Sequence, residues 1–349
     1  MTSVAIVIVT YNGKKYLSDL LSSLEDQRLD NLKVEIIIVD NNSTDGTVEY
    51  LKNNYQNIKI FENQDNLGFA KGNNLGIKYA LDNNFTYIAL LNQDIVVNDN
   101  WLIPLVDRLD RFEKIGAIQP RIMYWPETKK INSYGNILHY LGFGYTSFNG
   151  IEEKKVVNYP REINYASGAA VLIRSKILRQ TGLFDESFFM YHEDTDLSLK
   201  IKFLGYSIEL EPKSKVYHHY EFSKGRLKFF YIERNRIALL LKFYKIPTLI
   251  LLLPAFLLSE VSLLARSIIN GFFFDKIKSY LYYFLPRTII HLLKERREIQ
   301  KNRKITDKEL LNEMSGKIEF QEVQSIILNL VINPVLNIYK KLITFLIVW

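Results

Sequence analysis

The sequence predicts an α/β protein, a mostly parallel sheet flanked by helices and followed by a helical region. Three observations carry this. The N-terminal third alternates short apolar runs with amphipathic stretches, and the runs are continuous instead of alternating in polarity. Hydrophobic residues make up 48% of 349 and charged residues 24%, a globular composition with room for a large core. Continuous apolar strands joined by helices are what a parallel sheet covered on both faces requires.

The elements follow in order. VAIVIV (4–9) is a strand, and Tyr16, Leu17, Leu20, Leu21 and Leu24 then recur at helical spacing. VEIIIV (34–39) is the second strand. It leads to a helix over 44–54, which Ser43 or Thr44 would cap. IKIF (58–61) is a third strand, 72–81 a helix and YIALL (87–91) a fourth strand. From about residue 113 the pattern loosens, and the Gly- and aromatic-rich stretch 134–150 reads as loop or irregular strands. Residues 163–178 give a strand, a small-residue turn and a helix start. Residues 193–206 form a helix opened by acids and closed by Gly205, and 207–219 a strand or hairpin.

Beyond residue 240 the composition shifts. Thirteen uncharged residues, Ile246 to Leu258, fall short of the roughly 20 that span a bilayer. A helix running on to Ala265 could tolerate Glu260. An aromatic stretch (271–285), a basic one (286–304) and an apolar tail (339–349) complete the chain. This pattern fits helices lying on a membrane surface, against the plainer alternatives of a helical subdomain or a dimer interface. The expected division is a catalytic domain over 1–240 and a membrane-associated helical region over 241–349.

Several functions are excluded early. No cysteine occurs, so disulfides and thiolate metal sites are ruled out and any metal is held by oxygen or imidazole. The six-residue apolar run near the N-terminus is strand length, too short for a signal-peptide core. No GxGxxG follows the first strand and no GxxxxGK[ST] occurs, which argues against dinucleotide oxidoreductases and P-loop ATPases. The net charge of +7 suits anionic partners, and no nucleic acid is expected among them.

Asp40 and Asp94 each stand just past the carboxyl end of a strand, the edge where open α/β sheets bind ligands. A turn or helix cap is the plain alternative for Asp94; for DNNSTDGT it is a turn followed by a capped helix, and a cap does not explain Asp40 before it. Polar clusters mark the same edge: TYNG (10–13), DNNSTDGT (40–47), NLGFAKGNNLGI (66–77) and NQD (92–94). A nucleotide needs an aromatic contact, a carboxylate and amides near its phosphates. Tyr11, Asp40 and the Gly68–Asn74 turn could supply them.

With SGAAVLIRSKIL, GLFDESFFMYHEDTDLSLKIKFLGY and KVYHHYEFSKGRLKFFYIERNR, these motifs occur in order over residues 3 to 240. The chain thereby resembles inverting glycosyltransferases of family 2, nearest the rhamnosyltransferase-like branch. The resemblance implies a GT-A fold with a Rossmann-like sheet, a nucleotide-diphosphate sugar donor (dTDP or UDP) and Mg²⁺ or Mn²⁺. It also implies a glycan or lipid-linked acceptor at the cytoplasmic face of the cell membrane. Asp94 matches the last acid of the family's Asp-x-Asp motif and would bind the metal. Asn92 replaces the first acid and could reach a sugar hydroxyl or metal-bound water. Tyr11 and Asp40 match positions that hold the pyrimidine, with Thr10, Asn12 and Asn42 on the same loops. Gly68, Lys71 and Asn74 would lie near the diphosphate. Asp194 matches the base that deprotonates the acceptor, Glu193 stands beside it, and Asp196 is the structural member. His218 matches a histidine that reaches metal or diphosphate, and Arg234 could hold a donor or lipid phosphate. Two rivals stay open. A sugar-nucleotide pyrophosphorylase needs a Gly-rich basic loop that TYNGKKYL is not, and a degenerate membrane-held scaffold would bind donor without turning it over.

Overall fold

Val4, Ile6 and Ile8 pack on one side of the first strand and Ala5 and Val7 on the other, all buried. A strand apolar on both faces belongs inside a sheet with helices on each side. In the computed structural model, which describes residues 1–27, 32–220, 225–319, 326 and 328–349, it does. Glu221 to Lys224 of the last quoted motif lie outside the described residues.

The first segment runs β1 (Thr2–Thr10), α1 (Lys14–Glu25), β2 (Leu32–Asp40), α2 (Thr47–Asn54), β3 (Lys59–Glu62), α3 (Gly68–Asp82) and β4 (Tyr87–Asn92). Then come β5 (Ile95–Val97), α4 (Leu102–Arg111), β6 (Ile115–Tyr124), β7 (Ile131–Ser133), β8 (Asn136–Leu138) and β9 (Gly144–Thr146). After them follow β10 (Ala170–Arg174), α5 (Ser175–Thr181), α6 (Glu193–Phe203) and β11 (Ser207–His218). The sheet order is β3-β2-β1-β4-β10-β6-β11-β5, with β7 on β6 and β8-β9 as a separate pair.

The parallel expectation holds over β3-β2-β1-β4. Beyond β4 the sheet turns mixed, because β10 runs antiparallel to both β4 and β6. Its start, Ala170, therefore pairs with Leu91 at the end of β4, which brings the residues before β10 to the ligand-binding edge. Strand β6 was hidden in the sequence by Pro120, a residue that cannot donate to a ladder. Here β11 bulges between Glu211 and Lys215, opposite Pro120 and Arg121, and the ladder resumes beyond.

Two helix starts differ from expectation. Helix α2 begins at Thr47, not residue 44: its N-cap is Gly46 (φ 80°), not Ser43 or Thr44, and the Asp45 carboxylate just before it accepts from the Thr47 amide at 3.1 Å. Gly68–Asn74 is no turn but the opening of α3.

The chain packs as two units. The first comprises Met1–Asn136, Thr146–Lys202 and Tyr206–Glu221 and holds the nine-stranded sheet. The second comprises Ile137–Tyr145, Phe203–Gly205 and Phe222–Trp349. It contains α7 (Arg226–Phe243), α8 (Ile246–Ile269), α9 (Phe273–Leu281), α10 (Pro286–Asn302), α11 (Asp307–Glu313) and α12 (Asn333–Leu346). Helix α7 thus runs through residue 240, the expected division, and packs with the second unit. In that unit a buried charge network joins three helices. Arg236 bridges Glu233 (3.0 Å) and Glu260, while Lys276 meets Glu233 at 2.5 Å and Glu260 at 2.7 Å. Tyr280 donates to Glu260 as well.

Candidate active site

The carboxyl ends of β1, β2 and β4 meet in one loop cluster. Thr10, almost fully buried, donates its hydroxyl to Gln93 Oε1 at 2.7 Å, and the Tyr11 amide donates to the same oxygen at 3.0 Å. Gly13 is glycine because a Cβ there would lie 2.3 Å from that oxygen. The Tyr11 ring is left 47% exposed, open to stacking. Asn12, in left-handed conformation, accepts from the Thr44 amide at 2.8 Å, while its own amide donates to Ser43 Oγ at 2.9 Å. Its side chain therefore ties two loops together. Asn42 is exposed and also left-handed (φ 65°). Asp40 is 2% exposed; Oδ2 accepts from the Ser43 amide, but buried Oδ1 has no partner. A buried unpaired carboxylate oxygen at a sheet edge is costly and calls for a donor from a ligand.

The tight turn between β4 and β5 presents Asp94. Its buried Oδ1 has no hydrogen bond and lies 3.3 Å from His218 Nε2. His218 Nδ1 lies 3.2 Å from Asn132 Oδ1, an atom that only accepts, so Nδ1 is the donor there and Nε2 is the nitrogen turned to Asp94. Two acceptors at that distance need a proton or cation between them. The pair therefore fits a divalent ion. No group of three His, Asp or Glu forms a metal cage among the described residues, so a donor diphosphate and water would complete the shell. His219 turns elsewhere: its amide holds the Asp94 carbonyl at 2.9 Å, and its ring faces Asp19 and Trp125. Burial lowers its pKa.

Glu193 and Asp194 open α6, behind a turn in which Phe189, Tyr191 and His192 all take positive φ without glycine. Such strain concentrates at functional sites. The turn is held by α3, whose Phe69 and Ala70 amides donate to the Phe189 carbonyl at 2.8 and 3.3 Å. Gly68 (φ 75°) has no room for a Cβ, which would sit 2.5 Å from the Phe189 ring. Asp194 accepts from the Gly168 amide at 3.1 Å and the Thr195 amide at 2.7 Å. The next residue, Ala169, accepts from the Asn92 amide at 2.9 Å. Gly168–Ala169 thus spans from the turn that carries Asp94 to the helix that carries Asp194. Burial raises the Asp194 pKa, while bonds from Gly168 and Thr195 pull it back. Burial, reinforced by Asp194's charge, lifts Glu193 well above the carboxylate range, and Glu193 Oε2 has no partner. Asp196, fully buried, pairs with Lys200 at 2.9 Å.

Two expected residues have partners within the chain. Asn74 is buried with its amide bonded to both the carbonyl (3.0 Å) and the N–H (3.1 Å) of Phe184, so it positions the chain and is not free to bind phosphate. The first amides of α3 are taken by Asn66 and Phe189, and Lys71 on the same helix is exposed. Arg234 lies in the second unit, buried, its guanidinium over the Tyr231 and Tyr282 rings at 4.8 and 4.6 Å. Sequence reasoning passed over Gln93 and Gly168. Their importance lies in contacts between distant segments, and only the small-residue turn before β10 hinted at the second.

A half-parallel, half-mixed sheet with polar loops at its carboxyl edge and two acid centres there fits a glycosyltransferase of GT-A architecture. The chain belongs to glycosyl transferase family 2, which residues 5–182 match. It is 27% identical over 239 residues to the N-acetylglucosaminyl-diphospho-decaprenol L-rhamnosyltransferase of Mycobacterium tuberculosis, covering 63% of this chain and 77% of that one. Rhamnosyltransferase WbbL of Escherichia coli is 26% identical over 259 residues, 67% of this chain and 94% of WbbL. Among solved structures, GalNAc-T7 with UDP, GalNAc and Mn²⁺ superposes with TM-score 0.63 at 18% identity over 90% of this chain. The chain spans 56% of the length of GalNAc-T7. Staphylococcus aureus TarS 1–349 with UDP-GlcNAc gives TM-score 0.52 at 16% identity, covering 93% of this chain and 95% of that one.

Proposed function

We propose that the chain moves one sugar, rhamnose, from a dTDP or UDP donor to a glycan or lipid-linked acceptor, with inversion, at the cytoplasmic membrane face during cell-surface polysaccharide synthesis. The observation that carries this is the Gly168–Ala169 bridge, which ties Asp194 to the end of β4, two residues before Asp94, whose carboxylate lies 3.3 Å from His218 of β11. The rhamnosyltransferases among its relatives support the choice of sugar. Tyr11 stacks on the pyrimidine, and Asp40 Oδ1 accepts its imide N–H. Asp94 and His218 would hold Mg²⁺ or Mn²⁺. When bound there, the ion supplies positive charge for the departing diphosphate. Asp194 takes the acceptor hydroxyl's proton on the opposite face of the anomeric carbon. The exposed apolar helices of the second unit bring the chain to a lipid-borne acceptor.

A panel of sugar nucleotides, each tested by thermal shift with and without Mn²⁺, checks the reading. dTDP-rhamnose with Mn²⁺ at about 100 times its Kd should stabilise the protein by about 2.7 kcal/mol, a rise of several degrees in Tm. A larger Mn²⁺-dependent shift with another donor would replace rhamnose, and no shift with any donor would contradict the site.

A further inference from the structure

Helix α8 is inside out. Its buried stripe is Thr248, Leu252, Ala255 and Ser259, and its exposed stripe, on the opposite side at helical spacing, is Ile250, Leu253, Leu257 and Val261. Helix α12 repeats the pattern, exposing Val335, Ile338, Leu342 and Phe345. The two helices are joined where Tyr339 donates to the Leu251 carbonyl at 2.7 Å. Water-facing surfaces of this size and composition mark an interface.

By length and composition α8 could cross a bilayer: it has 24 residues, and mean hydropathy reaches 2.1 over 18 of them. Glu260 forbids it. This residue sits within α8 and is held inward by Arg236 of α7 and by Lys276 and Tyr280 of α9. Crossing would either strip Glu260 of these partners or drag Glu233, Arg236 and Lys276 to mid-membrane with it, and both are costly. Lying flat asks for neither.

Charge chooses what covers the face. Helix α10 exposes Arg287, Lys294, Arg297 and Lys301 around exposed Ile290 and Leu293. An open cleft lined by Lys245, Ile246, Pro247, Leu293, Arg296 and Arg297 sets cations at the very start of α8's apolar stripe. A second copy would oppose like charges across this rim, whereas an anionic bilayer complements it. We infer that α8 and α12 lie in the plane of an anionic bilayer surface, apolar stripes down and the α10 basic residues on the headgroups, with α8 not spanning. This rests on the membrane reading above and fixes its geometry.

The chain has no cysteine, so single-cysteine variants report one site each. Full-length Lys245→Cys and Asn270→Cys, which flank α8 at either end and lie off its apolar stripe, are expressed in bacteria. Inside-out membrane vesicles are then treated with a membrane-impermeant maleimide. Both cysteines should label without detergent. Labelling of one end only after detergent would mean a span and overturn the in-plane geometry while leaving membrane association intact. Recovery of the chain in the soluble fraction, as monomer or dimer, would overturn both. The Lys294→Glu/Arg297→Glu variant should partition onto phosphatidylglycerol vesicles more than about tenfold less than wild type, with little change on phosphatidylcholine. Equal partitioning would remove the anionic headgroup from the account.

Discussion

Replacing Asp194 with Asn should lower kcat by about 10²–10⁴-fold, the range that a positioned general base contributes. The substitution is nearly isosteric, but its single oxygen can accept from only one of the Gly168 and Thr195 amides that the two carboxylate oxygens hold, so one of these bonds is lost. Donor affinity should change little, because Tyr11, Asp40 and Asp94 are untouched; the loss falls on kcat and leaves donor Kd in place. The pH profile carries a second signature. The base must be ionised to act, and burial raises its pKa even against its two backbone hydrogen bonds. The acid limb of kcat should therefore lie above the ordinary Asp range, with activity rising as pH climbs through it. Glu193 is raised as well, by burial and by the Asp194 charge. If Asp194→Asn retains more than about a tenth of wild-type kcat, another group removes the proton.

Lys276→Met should destabilise the second unit by about 3–5 kcal/mol, the loss seen when one partner of a buried ion pair is removed. Lys276 and Arg236 are fully buried and face two carboxylates, Glu233 and Glu260. Without Lys276 one negative charge is left unmatched. Methionine fills the stem's volume, so packing loss is a minor part of the effect. The double variant Lys276→Met/Glu260→Leu leaves Arg236 matched to Glu233 and should recover most of the lost stability. Urea unfolding followed at Trp349, whose indole donates to Thr248 of α8 at 2.9 Å, reads this unit. A single variant within about 1 kcal/mol of wild type would mean that the network is not desolvated.

The parallel half of the sheet was legible because each of its strands is a continuous apolar run, a pattern with few alternatives. The mixed half was not. Pro120 disguises β6, and the antiparallel direction of β10 is a property of pairing that no local pattern encodes. At the site, Asp94 and the Glu193–Asp194 pair stood out as acids where a strand end or helix start needs few. His218 and His219 are adjacent and chemically alike. The structure separates them by partner, Asp94 and Asn132 for one, Asp19 and Trp125 for the other. Asn74 and Arg234 have partners within the chain that the sequence did not reveal, and for a common reason. Polar side chains on a helix look alike in sequence whether they meet a ligand or the chain's own backbone and rings, and only burial with named partners tells them apart.

The most direct measurement is the anomeric configuration of the product, read by NMR coupling constants after a single turnover. One base at Asp194, facing a diphosphate anchored at Asp94, permits displacement from one side only, and the new glycosidic bond must carry the configuration opposite to the donor's. A product that keeps the donor's configuration would contradict the assignment of these two acids.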